Sequence, residues 1–365
     1  MSTCKKCLMI SSLQNSNFNS EGECYWCQTN FPNYKPRGEE KLADLLNEHR
    51  SKSSSADCMV GVSGGKDSTY ALMALKDTYG LNVEAFTYVH EGTVPASVEN
   101  AKKMCMKLDV KHHIVSLPDQ IHLRTFKTFF RSWLAHPSLV SAGMTCVACK
   151  HLHILGFELA KERNIPMIAW ASTPLECPPF LAIGYKGNNG EVYQKSSLLE
   201  NAANMMKEMV HSPKFVQGVV EHFSTCYQGC MAVSPASNYL IAKYPTVTPI
   251  KIFDFIDWNP RVVIDEITRK GWQKPVKSGD DWHSDCLFHH FKEYMFRKML
   301  GVSYLEAYLS NQIRYGLLSR DEAMKSVEEN KRIFLKEFPI AIKELEMDDI
   351  ADKIDYQPWQ SSGDE

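Results

Sequence analysis

The order of apolar and polar positions divides the chain into stretches of different period. Residues 1 to about 35 have no apolar periodicity and are rich in Cys, Asn and Ser, so they cannot bury a core of their own. From about 38 to 50, leucines at helical spacing in EEKLADLLNEHR predict a helix, and 51–55 reads as a polar linker. From residue 57 the pattern alternates. The apolar run 57–62 predicts a buried strand, followed by a Gly-rich turn and a helix over 68–80. A second strand over 81–90 and a helix over 98–110 come next. A third strand over 111–117 precedes a long helix to about Ala135, and a helix over 151–164 precedes a fourth strand at 166–172. Strands alternating with helices imply right-handed βαβ units, hence an α/β doubly wound parallel sheet.

After Pro174 this rhythm fades into Pro, Gly and Asn clusters with a few helical pieces, which suggests an insertion or substrate-facing cap. From about 246 the chain becomes strongly helical, with Ser319 set to cap a helix that starts at Arg320. The expected organisation is a small module at 1–35, a nucleotide-type domain at 36–174 and an insertion at 175–245. The part at 246–365 completes the catalytic domain and adds a helical region, ending in a disordered tail at 360–365. There are no internal repeats.

Composition narrows the classes. The 365 residues suit one large or two modest domains plus a small module. A 44% hydrophobic and 23% charged composition is that of a soluble globular protein. No run approaches the roughly 18–20 apolar residues of a membrane span, and MSTCKKCLMI lacks the features of a secretory leader, so a cytoplasmic location is expected. The net charge of −2 with scattered basic residues disfavours a large RNA such as tRNA, whose binding rests on neutralised phosphates. A small-molecule substrate is expected instead, and a homodimer is compatible with this composition.

The hexapeptide Ser63-Gly64-Gly65-Lys66-Asp67-Ser68 falls between a predicted strand and a predicted helix. Glycines let backbone N–H groups converge, and the helix N-terminus adds partial positive charge, so the turn suits an anion. Lys66 brings a full charge to β and γ phosphates, the Ser63 and Ser68 hydroxyls can donate, and Asp67 can help hold Mg²⁺. The bland reading is an ordinary tight strand-to-helix turn. The motif is not a Walker A loop, which needs GxxxxGK[ST].

SGGKDS resembles the signature of the PP-loop ATP pyrophosphatases (HUP-like nucleotide folds), which adenylate a carbonyl oxygen with ATP. Pyrophosphate leaves, a nucleophile attacks the activated carbon, and AMP departs. The resemblance implies that Ser63, Gly64, Gly65, Lys66, Asp67 and Ser68 bind pyrophosphate and that Phe86, Thr87 and Tyr88 flank the adenine. It also implies that Trp170-Ala171-Ser172 forms a second nucleotide-facing loop, with Ser172 as its cofactor-binding residue. Over its full length the chain resembles the N-acetyl sugar amidotransferases. The matching features are CKKCLM, EGECYWC, VSGGKDSTY, Gly271-Trp272, Asp285-Cys286 and the stretch Ile313 to Ala323. Those enzymes turn an acetamido group into an acetamidino group with ammonia from a partner glutaminase. The run Ala171 to Pro179 departs from the Gly-Glu-Asn-Pro-like stretch that this family carries after its fourth strand.

Twelve cysteines in a chain expected in a reducing compartment call for something other than disulfides. Cys4-x-x-Cys7 and Cys24-x-x-Cys27, sixteen residues apart, have the spacing of a structural Cys₄ zinc ribbon, set against free thiols in a loose tail. Singletons such as Cys58 and Cys105 read as packing residues. Cys146-Val147-Ala148-Cys149 opens a helix with no second CxxC near it. The PP-loop tRNA thiolases carry such a pair at this point plus a later cysteine, together holding a [4Fe–4S] cluster with one open iron that carries sulfur. By that resemblance Cys146, Cys149 and Cys286 are the cluster ligands, with Cys226 and Cys230 as rivals for the third. The alternatives are unliganded thiols, or a second zinc site completed by His151, His153, His289 or His290. No histidine is tied by sequence to a nucleophile, so no general base is named, and phosphate and Mg²⁺ already claim Asp67.

These residues imply an enzyme using ATP and Mg²⁺, with Zn²⁺ and a [4Fe–4S] cluster as further cofactors. Its catalytic set is Lys66, Asp67, Cys146, Cys149 and Cys286. It would adenylate an amide or lactam oxygen of a nucleobase or modified sugar and replace that oxygen with sulfur. Replacement by nitrogen, with ammonia from a partner protein, and a tRNA thiolase are the alternatives. A sulfur-donating partner is equally compatible. A non-catalytic zinc-ribbon adaptor is disfavoured by the intact SGGKDS.

Overall fold

Five short parallel strands run through the centre of the molecule: β1 (Cys58–Gly61), β2 (Val83–Tyr88), β3 (Lys111–Val115), β4 (Met167–Trp170) and β5 (Thr248–Lys251). The structure is a computed structural model describing residues 2–13, 16–50, 56–176, 198–274 and 285–357, with the backbone alone at 198–201. The linker at 51–55, Cys177 and the tail at 360–365 lie outside the described residues.

Strand order is β3-β2-β1-β4-β5. Two helices precede the sheet: the single turn α1 (Tyr25–Gln28) and the leucine-spaced α2 (Glu39–His49), which buries Leu42 and Leu46. After β1, α3 (Lys66–Met73) runs into a π-helical turn at 74–78, and after β2 comes α4 (Pro95–Lys107). These crossovers lead outward from β1 to β3. The chain then returns through α5 (Ile121–Ala135), α6 (Leu139–Met144) and α7 (His151–Glu162) to β4, on the other side of β1. The reversal between β1 and β4 is the switch point of a doubly wound sheet, where loops diverge and leave a crevice at the carboxyl ends of the strands.

The stretch after Pro174 is more helical than its composition suggests. It contains α8 (Leu198–His211), α9 (Pro213–Glu221), α10 (Phe223–Met231) and α11 (Asn238–Lys243). It then returns to the sheet as β5, a strand absent from the sequence reading. Pro249 lies inside β5 and faces Ile168. Proline lacks the N–H of a central strand, but an edge strand tolerates it, and β5 is an edge. Helices α12 (Pro260–Arg269), α13 (Phe288–Leu300), α14 (Tyr304–Arg314) and α15 (Arg320–Glu344) complete the chain. Ser319 caps α15 in a reciprocal box with Glu322, and Ser303 caps α14 in the same way with Glu306.

One sheet face packs its β-branched and alanine residues against α2, α3, α4, α12 and α14. The other face packs Met59, Phe86, Ile168 and Trp170 against α7 and α11. Cys58 and Cys105 are buried core thiols. The N-terminal cysteine-rich segment has no core of its own and shares one with Val302 and Ala307. Leu8 N–H donates to Ser310 Oγ (3.1 Å), Arg314 Nε to the Phe31 carbonyl (2.6 Å) and Arg320 Nε to the Cys7 carbonyl (3.4 Å). Among the described residues no helix is long and apolar enough to cross a membrane.

Candidate functional site

The SGGKDS turn leaves the carboxyl end of β1, and its Lys66 begins α3. The first N–H groups of that helix have no intrahelical acceptor and face the crevice with the helix's positive pole. Gly64 makes the turn possible: its φ is +84°, and a Cβ there would lie 1.8 Å from the Ser97 carbonyl oxygen on α4. The hydroxyls keep the loop closed. Ser63 N–H donates to Ser68 Oγ (3.1 Å), Gly65 N–H donates to Ser63 Oγ (3.3 Å), and the two hydroxyls are 3.2 Å apart. Behind the loop, Trp272 Nε1–H donates to the Gly64 carbonyl (2.9 Å).

Lys66 is buried, and its ammonium lies 2.9 Å from Asp67, whose other oxygen accepts from Trp258 Nε1–H (2.8 Å). Burial pulls the Lys66 pKa down, but Asp67, Tyr308 and Glu176 outweigh it and hold the side chain charged. Glu176, in the turn after β4, is pushed up to about 8 by burial and by the charge of Asp67. Asp285 is also raised, by burial first, although a hydrogen bond from Ser63 and the charge of Lys66 oppose this. Three carboxylates around one ammonium make a setting that a hard divalent cation relieves.

The strand ends differ in what they offer. Thr87 Oγ1 donates to the Val62 carbonyl (2.6 Å) and Ser172 is exposed at the end of β4. Phe86 lies in the core against Trp170 and Gly156, so only its backbone reaches the crevice. The Tyr88 hydroxyl pairs with His122 Nδ1 (3.0 Å).

Cys146, Cys149 and Cys286 lie within electrostatic reach of one another near the same strand ends, but among the described residues they are not a set of sulfurs all within 4.8 Å of one another. Burial raises the Cys286 thiol well above its usual range, and the charges of Asp285, Cys149 and Cys146 add to this. Lys292, on α13, faces all three thiols. The charge of Cys146, then Tyr304, Cys149 and Cys286, keep its ammonium charged against burial. The turn 146–149 rests on α10, where a Cβ on Gly229 would lie 2.3 Å from the Val147 carbonyl. The rival residues have other surroundings. Cys226 packs with Phe129 and Phe215, and Cys230 Sγ lies 3.9 Å from Met144 Sδ. His151 Nε2 pairs with the Thr225 carbonyl (3.1 Å) and His153 Nδ1 with the Ala232 carbonyl (2.7 Å). His289 lies beside Glu293, and the His290 ring lies near Phe334.

Cys4, Cys7, Cys24 and Cys27 form a second, separate centre, with their sulfurs all within 4.8 Å of one another and all four residues buried. The Cys4–Cys27 and Cys7–Cys24 separations are 3.8 and 3.6 Å. A tetrahedral ion with metal–sulfur bonds of about 2.3 Å sets its thiolates about 3.8 Å apart. The four sulfurs therefore fit one tetrahedral ion. Cys24 N–H donates to Cys4 Sγ (3.3 Å), and Arg314 Nη1 lies 4.0 Å from Cys27 Sγ.

Residues 57–133 match the family model described as queuosine biosynthesis protein QueC. This stretch opens with β1 and the SGGKDS loop and contains β2, β3 and their helices. Over these residues, the SGGKDS loop among them, the chain is similar to that family. No curated protein matches it. Among solved structures, the NMN synthetase from Francisella tularensis is 12% identical at a TM-score of 0.37, over 87% of this chain and 94% of that one. The U34-tRNA thiolase NcsA from Methanococcus maripaludis, with its [4Fe-4S] cluster, is 14% identical at 0.36, over 91% and 88%. The NH3-dependent NAD synthetase from Campylobacter jejuni is 17% identical at 0.28, over 69% and 98%. None of these overlaps is close enough to carry a substrate or a cofactor across.

Several residues around this PP-loop were not singled out by sequence reasoning. Trp258, Glu176, His90 and Lys292 carry no local motif. Trp272 belongs to the Gly271-Trp272 pair of the amidotransferase resemblance, which gave no hint that its indole braces Gly64.

Proposed function

We propose that this PP-loop protein adenylates the carbonyl oxygen of a small amide or lactam, such as a nucleobase or modified sugar, and replaces that oxygen with sulfur. The observation that carries this reading is the adjacency of Asp285 and Cys286. Asp285 bonds to Ser63 of the loop, while the next residue lies within electrostatic reach of Cys146 and Cys149. A substrate oxygen adenylated over the loop would thereby lie near these three thiols.

In the first half-reaction the substrate oxygen attacks the α-phosphorus of ATP. Ser63, Gly64, Gly65, Lys66 and Ser68 receive the departing pyrophosphate, and Asp67, with Glu176 and Asp285 near, would hold a Mg²⁺ ion to offset its charge. Thr87, Tyr88 and Ser172 border the nucleoside end. In the second half-reaction a sulfur nucleophile attacks the activated carbon and AMP leaves with the former carbonyl oxygen. Cys146, Cys149 and Cys286 would hold a [4Fe–4S] cluster, and three protein thiolates leave one iron open to carry sulfur. Part-buried thiolates beside a part-buried ammonium are a suitable donor set, because Lys292 offsets part of their negative charge. We read the Cys₄ centre as structural Zn²⁺ and residues 175–245 as a substrate cap.

A second reading, nitrogen delivered by a partner, is favoured by Trp272. Its pair Gly271-Trp272 is shared with the sugar amidotransferases, and it holds the loop directly. Anaerobic purification with iron, sulfide and zinc counts separates the two. About four iron and four sulfide beside one zinc, lowered by Cys146→Ala, support sulfur insertion. Zinc alone, even after reconstitution, overturns the cluster and leaves the nitrogen reading.

A further inference from the structure

We propose that His90 is a positioning residue for Cys286, donating its Nε2 proton to that sulfur. The inference deepens the sulfur reading above and rests on it for its link to a cluster, while the hydrogen bond stands on geometry alone.

His90 opens a tight turn just past β2. Its N–H donates to Thr93 Oγ1 (2.9 Å), and Thr93 N–H returns to the His90 carbonyl (2.9 Å). The segment carrying Cys286 lies antiparallel to this turn. Val94 N–H donates to the Asp285 carbonyl (3.0 Å) and Leu287 N–H to the Gly92 carbonyl (2.7 Å), with Thr93 bridged to Cys286. The backbone therefore fixes the Cys286 sulfur relative to the imidazole, although the two residues are 196 positions apart.

The turn also sets the tautomer. Gly92 N–H donates to His90 Nδ1 at 3.1 Å, so that nitrogen offers its lone pair. A neutral imidazole with Nδ1 as acceptor carries its proton on Nε2. Nε2 lies 4.0 Å from Cys286 Sγ. The ring is held in this pose by a stack on Phe288 (5.2 Å between centroids, 14°) and by the His122 ring at 4.2 Å. His122 is in turn tied to the Tyr88 hydroxyl. One ring nitrogen fixed by the backbone and the other aimed at a cysteine sulfur is the arrangement that would orient a metal-binding sulfur and withdraw charge from it. Hydrogen bonds to ligand sulfurs are among the factors that set the reduction potential of an iron–sulfur cluster.

The test uses full-length protein with ¹⁵N-labelled histidine, the His90 signals being assigned by their loss in His90→Gln. The expected result is an Nε2–H tautomer whose Nε2 resonance shifts in Cys286→Ala. An Nδ1–H tautomer, or a resonance that Cys286→Ala leaves unmoved, overturns the proposal whether or not iron is bound. In protein that binds the cluster, His90→Phe should lower its reduction potential, and His90→Gln, which keeps an N–H donor, should restore most of the loss. Equal potentials in wild type and both variants also overturn it. Wild-type protein without iron counts against the sulfur reading alone, and the imidazole signals then decide the hydrogen bond.

Discussion

At Gly64 the SGGKDS loop has no room for any other residue. The positive φ is a region L-residues avoid, and the Ser97 carbonyl occupies the place of a Cβ. Backbone strain of this kind costs about 1–3 kcal/mol, roughly a five- to 150-fold change in an equilibrium. On the proposed nucleotide reading, Gly64→Ala is therefore expected to weaken ATP binding by at least about fivefold while leaving the far-ultraviolet circular dichroism unchanged; calorimetric titration with a non-hydrolysable ATP analogue measures it. Asp67 shows the same dependence on neighbours. Its two oxygens are taken by Lys66 and by Trp258, so its orientation towards a cation is set by a tryptophan far away in the chain.

At the scale of elements, the decisive contact is α10 against the turn 146–149. Gly229 allows backbone to approach backbone, and a methyl group there meets the Val147 carbonyl at 2.3 Å. Overpacking of this kind costs about 1–3 kcal/mol. On the proposed cluster and zinc readings, Gly229→Ala should lower the thermal midpoint by a few degrees and reduce the iron retained at Cys146 and Cys149 relative to the zinc on the Cys₄ centre. Elemental analysis of the two metals reads this, and an unchanged ratio would count against α10 as the support of the turn. The same element-level logic explains the stretch from Ile313 to Ala323. Arg314 and Arg320 bind the carbonyls of Phe31 and Cys7, so this stretch docks the cysteine-rich segment onto α14 and α15.

The molecule as a whole is joined through buried charge and through the Cys₄ centre. The N-terminal segment packs its cysteines against α14, so on the zinc reading proposed above Cys24→Ser should abolish metal binding there and lower the thermal midpoint of the entire chain. Zinc content and calorimetry together check this. Between α13 and α14, Glu293 is buried with His289, Arg297 and Glu306 around it and accepts from Leu305 N–H. Burial raises its pKa from 4.5 to about 7, with Glu306 adding and Arg297 opposing. The folded state thus holds a proton that the unfolded chain has released. The stabilising effect is complete below pH 4.5 and is lost progressively as pH rises to about 7, by about 3 kcal/mol in all. Glu293→Gln should flatten this part of the stability–pH curve, measured as urea midpoints across pH 4 to 8. An equally steep slope in the variant would assign the loss to other groups.

The sequence by itself determined what short-range pattern encodes. Alternating periods gave the four strands β1 to β4 in a doubly wound sheet, SGGKDS placed the anion loop between a strand and a helix, and two CxxC pairs announced a four-sulfur centre. Each signal lies within a few tens of residues, where spacing alone fixes which side chains share a face. The tertiary structure decided the rest. β5 was hidden because Pro249 breaks the strand pattern, and only its place at the sheet edge makes that proline tolerable. The bracing of the loop by Trp258 and Trp272, the approach of Lys292 to three thiols and the pairing of His90 with Cys286 join residues from distant parts of the chain. Such meetings depend on which way each crossover turns and on how the helices after β5 fold back over the strand ends, and local periodicity carries no record of either.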